Sequence, residues 1–258
     1  MGAVTRDQPK CLVQIAGRPL LEHTVDRLRG AGCDEIVVIT GYLAHLIDLP
    51  GVRCVENPDY ANNNVLHSLM YARDYLAGDT VVVYSDIWVE PWIFDRLLDT
   101  AGDIVIAADI DWQGYYVGRT EHPIDEAENV VIDDAGRVLR VGKHVTAEAV
   151  AEASLGEFLG LWRMSAAGTD AFRLAFLTVD GRLPADDAFQ QAKTWRQAYA
   201  TDLFQELVDN GQEIACAKVE RGWAELDTGQ DLRRLPEIAA RQRLTTLVDY
   251  DGKSDARS

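Results

Sequence analysis

Glu35-Ile36-Val37-Val38-Ile39-Thr40-Gly41-Tyr42 carries an unbroken run of β-branched residues closed by a glycine. A strand apolar at every position must be covered on both faces, which is the habit of parallel sheets flanked by helices. On its amino-terminal side, Pro19 to Arg29 sets Leu21, Val25 and Leu28 at i, i+4 and i+7, with Pro19 at the start and Gly30 and Gly32 as stops, and so predicts a helix with one buried stripe. On its carboxyl-terminal side the same grammar repeats. A short helix ends near Pro50, a strand covers Arg53 to Val55, a helix Val65 to Leu76, a strand Val81 to Tyr84, a helix Pro91 to Asp99 and a strand Ile104 to Ala108. Such alternation predicts an α/β sheet with helices on both faces.

The rhythm then changes. Residues 111–145 are shorter-patterned and more polar, and Val130-Val131-Ile132, Asp133-Asp134-Ala135-Gly136, Arg137-Val138-Leu139 reads as a hairpin in an insertion over the sheet. Gly156 to Trp162 and Glu213 to Val219 read as strands, Thr201 to Val208 as a helix, and Gln230 to Leu247 as a helix with a break at Pro236. The reading is a single domain over 1–250, followed by a disordered tail at 251–258.

The chain has 25 basic and 42 acidic residues, a net charge of −17, which argues against general attraction to nucleic acid or an anionic membrane surface. No apolar run approaches the ~18 residues of a membrane span. Cys11, Cys33, Cys54 and Cys216 form no C-x-x-C pair and no zinc-like spacing with the histidines, so buried reduced thiols and a cytoplasmic location are expected. The 5 histidines lie apart and carry no motif; they read as structural or surface groups.

In open α/β sheets ligands bind beyond the carboxyl ends of the strands. Asp86 stands at such an end, after Val81-Val82-Val83-Tyr84-Ser85, and fits either a turn or a metal ligand. Asp227, in Trp223-Ala224-Glu225-Leu226-Asp227-Thr228-Gly229, is open in the same way, since Asp-Thr-Gly also starts helices. Trp112, Tyr115, Tyr116, Trp162, Trp195 and Trp223 suit a cage for a quaternary ammonium or, as the commoner use of large aromatics, a core.

Taken together, Pro9-Lys10, Ala16-Gly17-Arg18-Pro19-Leu20, Ile39-Thr40-Gly41-Tyr42, Asp86 and Glu225-Leu226-Asp227-Thr228 resemble the sugar-nucleotide and small-molecule nucleotidyltransferase family from Thr5 to Leu235. Asn57-Pro58-Asp59-Tyr60-Ala61-Asn62-Asn63-Asn64 with Ser68-Leu69, and Asp111-Trp112, Tyr116, Gly118-Arg119 and Glu126 to Val130, are similar to the branch that transfers cytidylyl groups to phosphocholine or phosphonates. The resemblance implies a Rossmann-like three-layer α/β/α fold with a mixed sheet. It also implies Mg²⁺-dependent attack of a small phosphate or phosphonate on the α-phosphorus of CTP, with release of pyrophosphate. On the same ground Asp86 and Asp227 are the expected Mg²⁺ ligands, and Lys10 and Lys143 the catalytic cations. Lys10, Gly41, Asn57, Asn64 and Ser68 fall on the nucleotide side; Trp112, Tyr116, Arg119, Glu157 and Asp202 fall on the acceptor side. Glu157 and Gly160 match a family strand beside the acceptor pocket, where Gly160 allows close approach or marks a bulge. A homodimer is one assembly to expect.

Family members begin with a central strand and a Leu-Ala-Ala-Gly type of loop, whose backbone N–H groups cradle the triphosphate. Here only Met1 to Arg6 precede Asp7. The sheet is therefore expected to lack its first central strand, leaving two neighbours unpaired across roughly twice the ~4.8 Å strand spacing. Either the natural start lies upstream, with Met1-Gly2-Ala3-Val4-Thr5 continuing from the loop, or the chain is a truncated paralogue. A noncatalytic nucleotide-binding module and a sugar-1-phosphate nucleotidyltransferase are the alternative readings.

Overall fold

The computed structural model describes residues 5–146 and 153–248; the expected tail at 251–258 lies outside them. The chain enters through a short antiparallel pair, β1 (Gln14–Ile15) and β2 (Arg18–Pro19), turned by Ala16 and Gly17 at φ 50° and 76°. Pro19 caps α1 (Leu20–Gly30), which buries Leu20, Leu21, Val25 and Leu28. The deciding apolar run becomes β3 (Val37–Thr40), paired in parallel with β4 (Arg53–Glu56). Between them, the short helix expected before Pro50 is only a 3-10 turn at Ala44–Leu46. Next come α2 (Val65–Tyr71), shorter than expected, β5 (Thr80–Val83), β6 (Ile87–Val89), α3 (Pro91–Asp99) and β7 (Ile104–Asp109). The hairpin β8 (Glu128–Ile132) and β9 (Val138–Lys143) precedes β10 (Ser154–Met164), α4 (Ala166–Arg182), α5 (Ala200–Asp209), β11 (Ala215–Val219) and β12 (Trp223–Glu225). The last helix is broken into α6 (Gly229–Arg233), α7 (Leu235–Gln242) and α8 (Thr245–Val248), and Pro236 sits in the first turn of α7, where its missing N–H has no partner to lose.

β10 organises the main sheet. One edge pairs with β8 through Ser154–Glu157 and then with β5 through Leu161–Met164; the other takes β7, which pairs in parallel with β11. The sheet is therefore mixed, as expected. The insertion hairpin does not lie over it, which corrects the sequence reading: β8 and β9 extend it through β10. Asn129, Val130, Val131 and Ile132 are all buried, so β8 has two faces to cover, and a place within the sheet covers both. Gly160, at φ 68°, sits where the β10–β7 register shifts, and a Cβ there would stand 2.3 Å from the Tyr84 ring. It marks a bulge and a close approach at once.

α4 has no counterpart in the sequence reading. Its buried stripe, Thr169, Phe172, Phe176 and Val179, is regular, but Leu174 and Leu177 lie on the exposed face at 67% and 47% and blur the polar side. β6 pairs antiparallel with β12, a contact between distant segments that local pattern does not announce. Cores form on both sides of the sheets, one fed by α1, α3 and α7, the other by α2, α4 and α5, which makes the three layers. All four cysteines are free; Cys11 and Cys216 are buried as expected, whereas Cys33 is half-buried and Cys54 exposed. No helix among the described residues is long and apolar enough to cross a membrane.

The most consequential feature is a gap. Among the described residues β3 pairs only with β4 and β5 only with β10, so the facing edges of β3 and β5 are unpaired. A cavity of about 780 Å³ lies between them, lined by Val37 to Thr40, Thr80 to Val83, Leu21, Val25 and Leu69, and reaching Lys10, Asp86 and Asp227. It explains why all four residues of β5 are half-buried although their sequence suits a fully buried strand.

Candidate active site

Three segments distant in sequence meet at the mouth of this cavity. Lys10 lies in a 3-10 turn, Lys10–Leu12; Asp86 follows β5; Asp227 follows β12, whose end is tied down where the Leu226 N–H donates to the Asp86 carbonyl at 2.8 Å. The Lys10 ammonium donates to Asp227 Oδ1 and stands 3.9 Å from Asp86 Oδ2. One ammonium between two carboxylates shows that their oxygens converge on a single cation position. His122, read from sequence as a structural or surface group, completes the cluster: its Nδ1 is 3.1 Å from Asp227 Oδ2 and its Nε2 3.7 Å from Glu225 Oε2. Nothing local marks His122, because the loop that carries it gains meaning only where it crosses β12.

The charges at this mouth are mutually adjusted. A hydrogen bond from His122, then one from Lys10, holds the Asp227 carboxyl far below the usual carboxylate range. Burial pulls the Lys10 ammonium down, and Asp227 with Asp86 outweighs it, leaving Lys10 above its ordinary value. Asp86 is raised by burial against the pull of Lys10, and Glu225 is raised by burial and by Asp86. The hydrogen bond to Asp227 raises His122.

Of the other expected site residues, Gly41, Asn64, Ser68, Tyr116, Lys143 and Glu157 line the cavity. Gly41 leaves room for Tyr60, whose Cβ would be 2.7 Å from an added Cβ. Asn64 caps α2 and donates to the Gln197 carbonyl at 3.1 Å. Lys143 pairs with Glu126 at 2.8 Å and sits 4.8 Å from the centre of the Tyr199 ring. The Tyr116 hydroxyl donates to Glu157 Oε1, while Glu157 Oε2 is buried with no hydrogen-bond partner among the described residues.

Asn57, Trp112, Arg119 and Asp202, also expected at the site, do not line it. Asn57 is buried and knits its own loop, donating to Asn63 and Ser68 at 2.9 and 2.6 Å. Trp112 packs edge-on against Tyr116. Arg119 turns to Asp231, at 2.9 and 3.1 Å. Asp202 accepts from the N–H groups of Tyr199 and Gln191 at 2.8 and 3.0 Å, as a cap of α5. The large tryptophans are core: Trp162, Trp195 and Trp223 are at most 2% exposed.

The donor set suits a hard divalent cation in one respect. Asp86 and Asp227 already share a cation, but no group of three or more His, Cys, Asp or Glu among the described residues is placed to hold a metal. Two carboxylates with the remaining ligands from phosphate oxygens and water is the ligation Mg²⁺ accepts.

Residues 1–151 match the family model described as the MobA-like NTP transferase domain. The chain belongs to that family. Relatives of this NTP transferase include CTP:phosphoglutamine cytidylyltransferase of Campylobacter jejuni, 24% identical over 89% of this chain and 91% of that protein. A bifunctional IPC transferase and DIPP synthase of Rubrobacter xylanophilus is 31% identical over 90% of this chain, which spans only 48% of that protein. Among solved structures, CTP:phosphocholine cytidylyltransferase from Streptococcus pneumoniae aligns at a TM-score of 0.67 and 20% identity, over 92% of both chains. At that identity the likeness establishes the nucleotidyltransferase fold.

Proposed function

We propose that this nucleotidyltransferase transfers a cytidylyl group from CTP to a small phosphate or phosphonate of the phosphocholine, 2-aminoethylphosphonate or hydroxyethylphosphonate class. The observation that carries the reading is the convergence of Lys10, Asp86 and Asp227, from three remote segments, on one cation position at the mouth of a cavity. Two anions must meet in this reaction, so positioning and charge stabilisation supply the catalysis. Lys10 meets the triphosphate. Asp86 and Asp227 would hold Mg²⁺, which when bound neutralises phosphate charge and polarises the α-phosphorus. Asn64 and Ser68 offer an amide and a hydroxyl on the nucleotide side, Tyr116 and Glu157 face the acceptor, and Lys143 stabilises charge on the transferring group. An ionised acceptor oxygen forms the new bond to the α-phosphorus as the bridging P–O bond to the β-phosphate breaks. The electron pair leaves with pyrophosphate, so no general base is required. The same reading places the protein in the cytoplasm.

Pyrophosphate release tests it. Protein is supplied with Mg²⁺, one of four nucleoside triphosphates, and phosphocholine, 2-aminoethylphosphonate, hydroxyethylphosphonate or a sugar 1-phosphate. Release only with CTP and a phosphate or phosphonate acceptor is expected; turnover confined to a sugar 1-phosphate would overturn the acceptor class. The second reading, a nucleotide-binding module without turnover, is favoured by the open gap between β3 and β5 beside Lys10, and predicts CTP binding without pyrophosphate from any acceptor.

A further inference from the structure

Four consecutive residues of one loop all bond to a single other segment. Arg119 donates to Asp231 and, at 3.3 Å, to Glu225; the N–H groups of Thr120 and Glu121 donate to Gln230 Oε1 at 2.8 and 3.1 Å; His122 lies against Asp227 and Glu225. The return contacts are equally dense, since the Gln230 N–H and the Arg233 guanidinium both donate to the Glu121 carboxylate. Asp231 is the hub. Its Oδ2 accepts from the Asp227 and Thr228 N–H groups, at 3.2 and 2.8 Å, and from the Thr228 hydroxyl at 2.9 Å. Asp231 and Arg119 side chains are each only 1% exposed and are paired with each other, and the guanidinium is itself stacked 4.5 Å from the Tyr115 ring centre.

We propose that Arg119 and His122 are positioning residues that set the backbone and the carboxylate of Asp227 for divalent-cation binding. Arg119 acts through Asp231 on the Asp227 backbone; His122 acts directly on the Asp227 side chain and on its neighbour Glu225. Neither sits between Asp86 and Asp227, where Lys10 lies, so neither is assigned contact with the substrate. The inference rests on the nucleotidyltransferase reading, in which Asp227 is a metal ligand. Hydrogen bonds to a ligating carboxylate ordinarily govern metal affinity by about 10- to 100-fold.

The test uses Mn²⁺ alone, without nucleotide, and reads free Mn²⁺ by electron paramagnetic resonance with wild type, Asp227→Ala, His122→Ala, His122→Asn and Arg119→Lys. His122→Ala is expected to weaken Mn²⁺ binding about 10-fold, and His122→Asn, which restores an N–H near the Nδ1 position, to recover most of it. Arg119→Lys keeps the charge but loses the two-point grip on Asp231, and is expected to weaken binding similarly. Because a buried arginine variant can fail to fold, the pair at His122, which is half-buried, carries the test alone if needed. In turnover, both positions should raise the metal concentration for half-maximal rate while kcat recovers at saturating metal. Wild-type or tighter Mn²⁺ binding in His122→Ala overturns the proposal alone; binding unchanged in Asp227→Ala removes the metal-ligand reading and this inference with it.

Discussion

Lys10, Asp86 and Asp227 are each ambiguous by residue type, and the fold brings their charged groups together. Asp86→Ala and Asp227→Ala should each lower metal-dependent pyrophosphate release by at least about 100-fold, as should Lys10→Ala, with the fold kept because all three side chains are partly exposed. Retained turnover in any one of them, measured with the acceptor that supports release, removes that residue from the mechanism. Glu128 supplies a pH prediction. Burial pushes its carboxyl up from 4.5 to about 7, with the Thr201 hydroxyl donating to it. The folded protein thus keeps a proton that the unfolded chain releases. Glu128 therefore costs stability progressively as pH rises through that window, by at most about 3 kcal/mol, and nothing below it. Glu128→Gln, which preserves the bond to Thr201, should stabilise the protein in denaturant unfolding at pH 8 more than at pH 5; an equal effect at both would show that the group titrates normally.

Elements were legible wherever their own pattern sufficed. β3 announced itself by a continuous apolar run and α1 by a one-sided stripe, and the alternation of strand and helix carried α3 and β7. α4 did not, because Leu174 and Leu177 face outward. Its position is nevertheless demanding: a Cβ on Gly168 would stand 2.1 Å from the Asp103 carbonyl oxygen, so the helix packs on that loop through bare backbone. Gly168→Ala should force α4 away from it and lower unfolding free energy by about 2–3 kcal/mol, read by urea denaturation; a gain from the added helix propensity would mean the contact is loose. The insertion hairpin was recognised as a hairpin but misplaced, since turn chemistry at Asp133 to Gly136 specifies that two strands pair and says nothing of what they pair with next.

At the scale of the molecule, the gap between β3 and β5 separates what would be one continuous sheet. The Tyr84 N–H donates to the Gly160 carbonyl, and alternation along an antiparallel pair then turns the N–H groups of Val81 and Val83 away from β10, toward the cavity. Amide hydrogen exchange should therefore be much faster at Val81 and Val83 than at Val82, although all four residues of β5 are comparably half-buried. Equal protection would mean that the gap is closed in solution. The sequence by itself determined the α/β class and the order of most elements, and brought Lys10, Asp86 and Asp227 forward as candidates, because these follow from periodicity, backbone sterics and motif within a few residues; at Gly160 it left a close approach and a bulge both open. Only the tertiary structure decided that His122 and Glu225 join those residues, that Asn57, Trp112, Arg119 and Asp202 do not reach the cavity, and that β8 and β9 belong to the sheet. Those outcomes depend on which segments cross in space, over separations of about a hundred residues such as His122 to Asp227, and no local preference encodes a crossing.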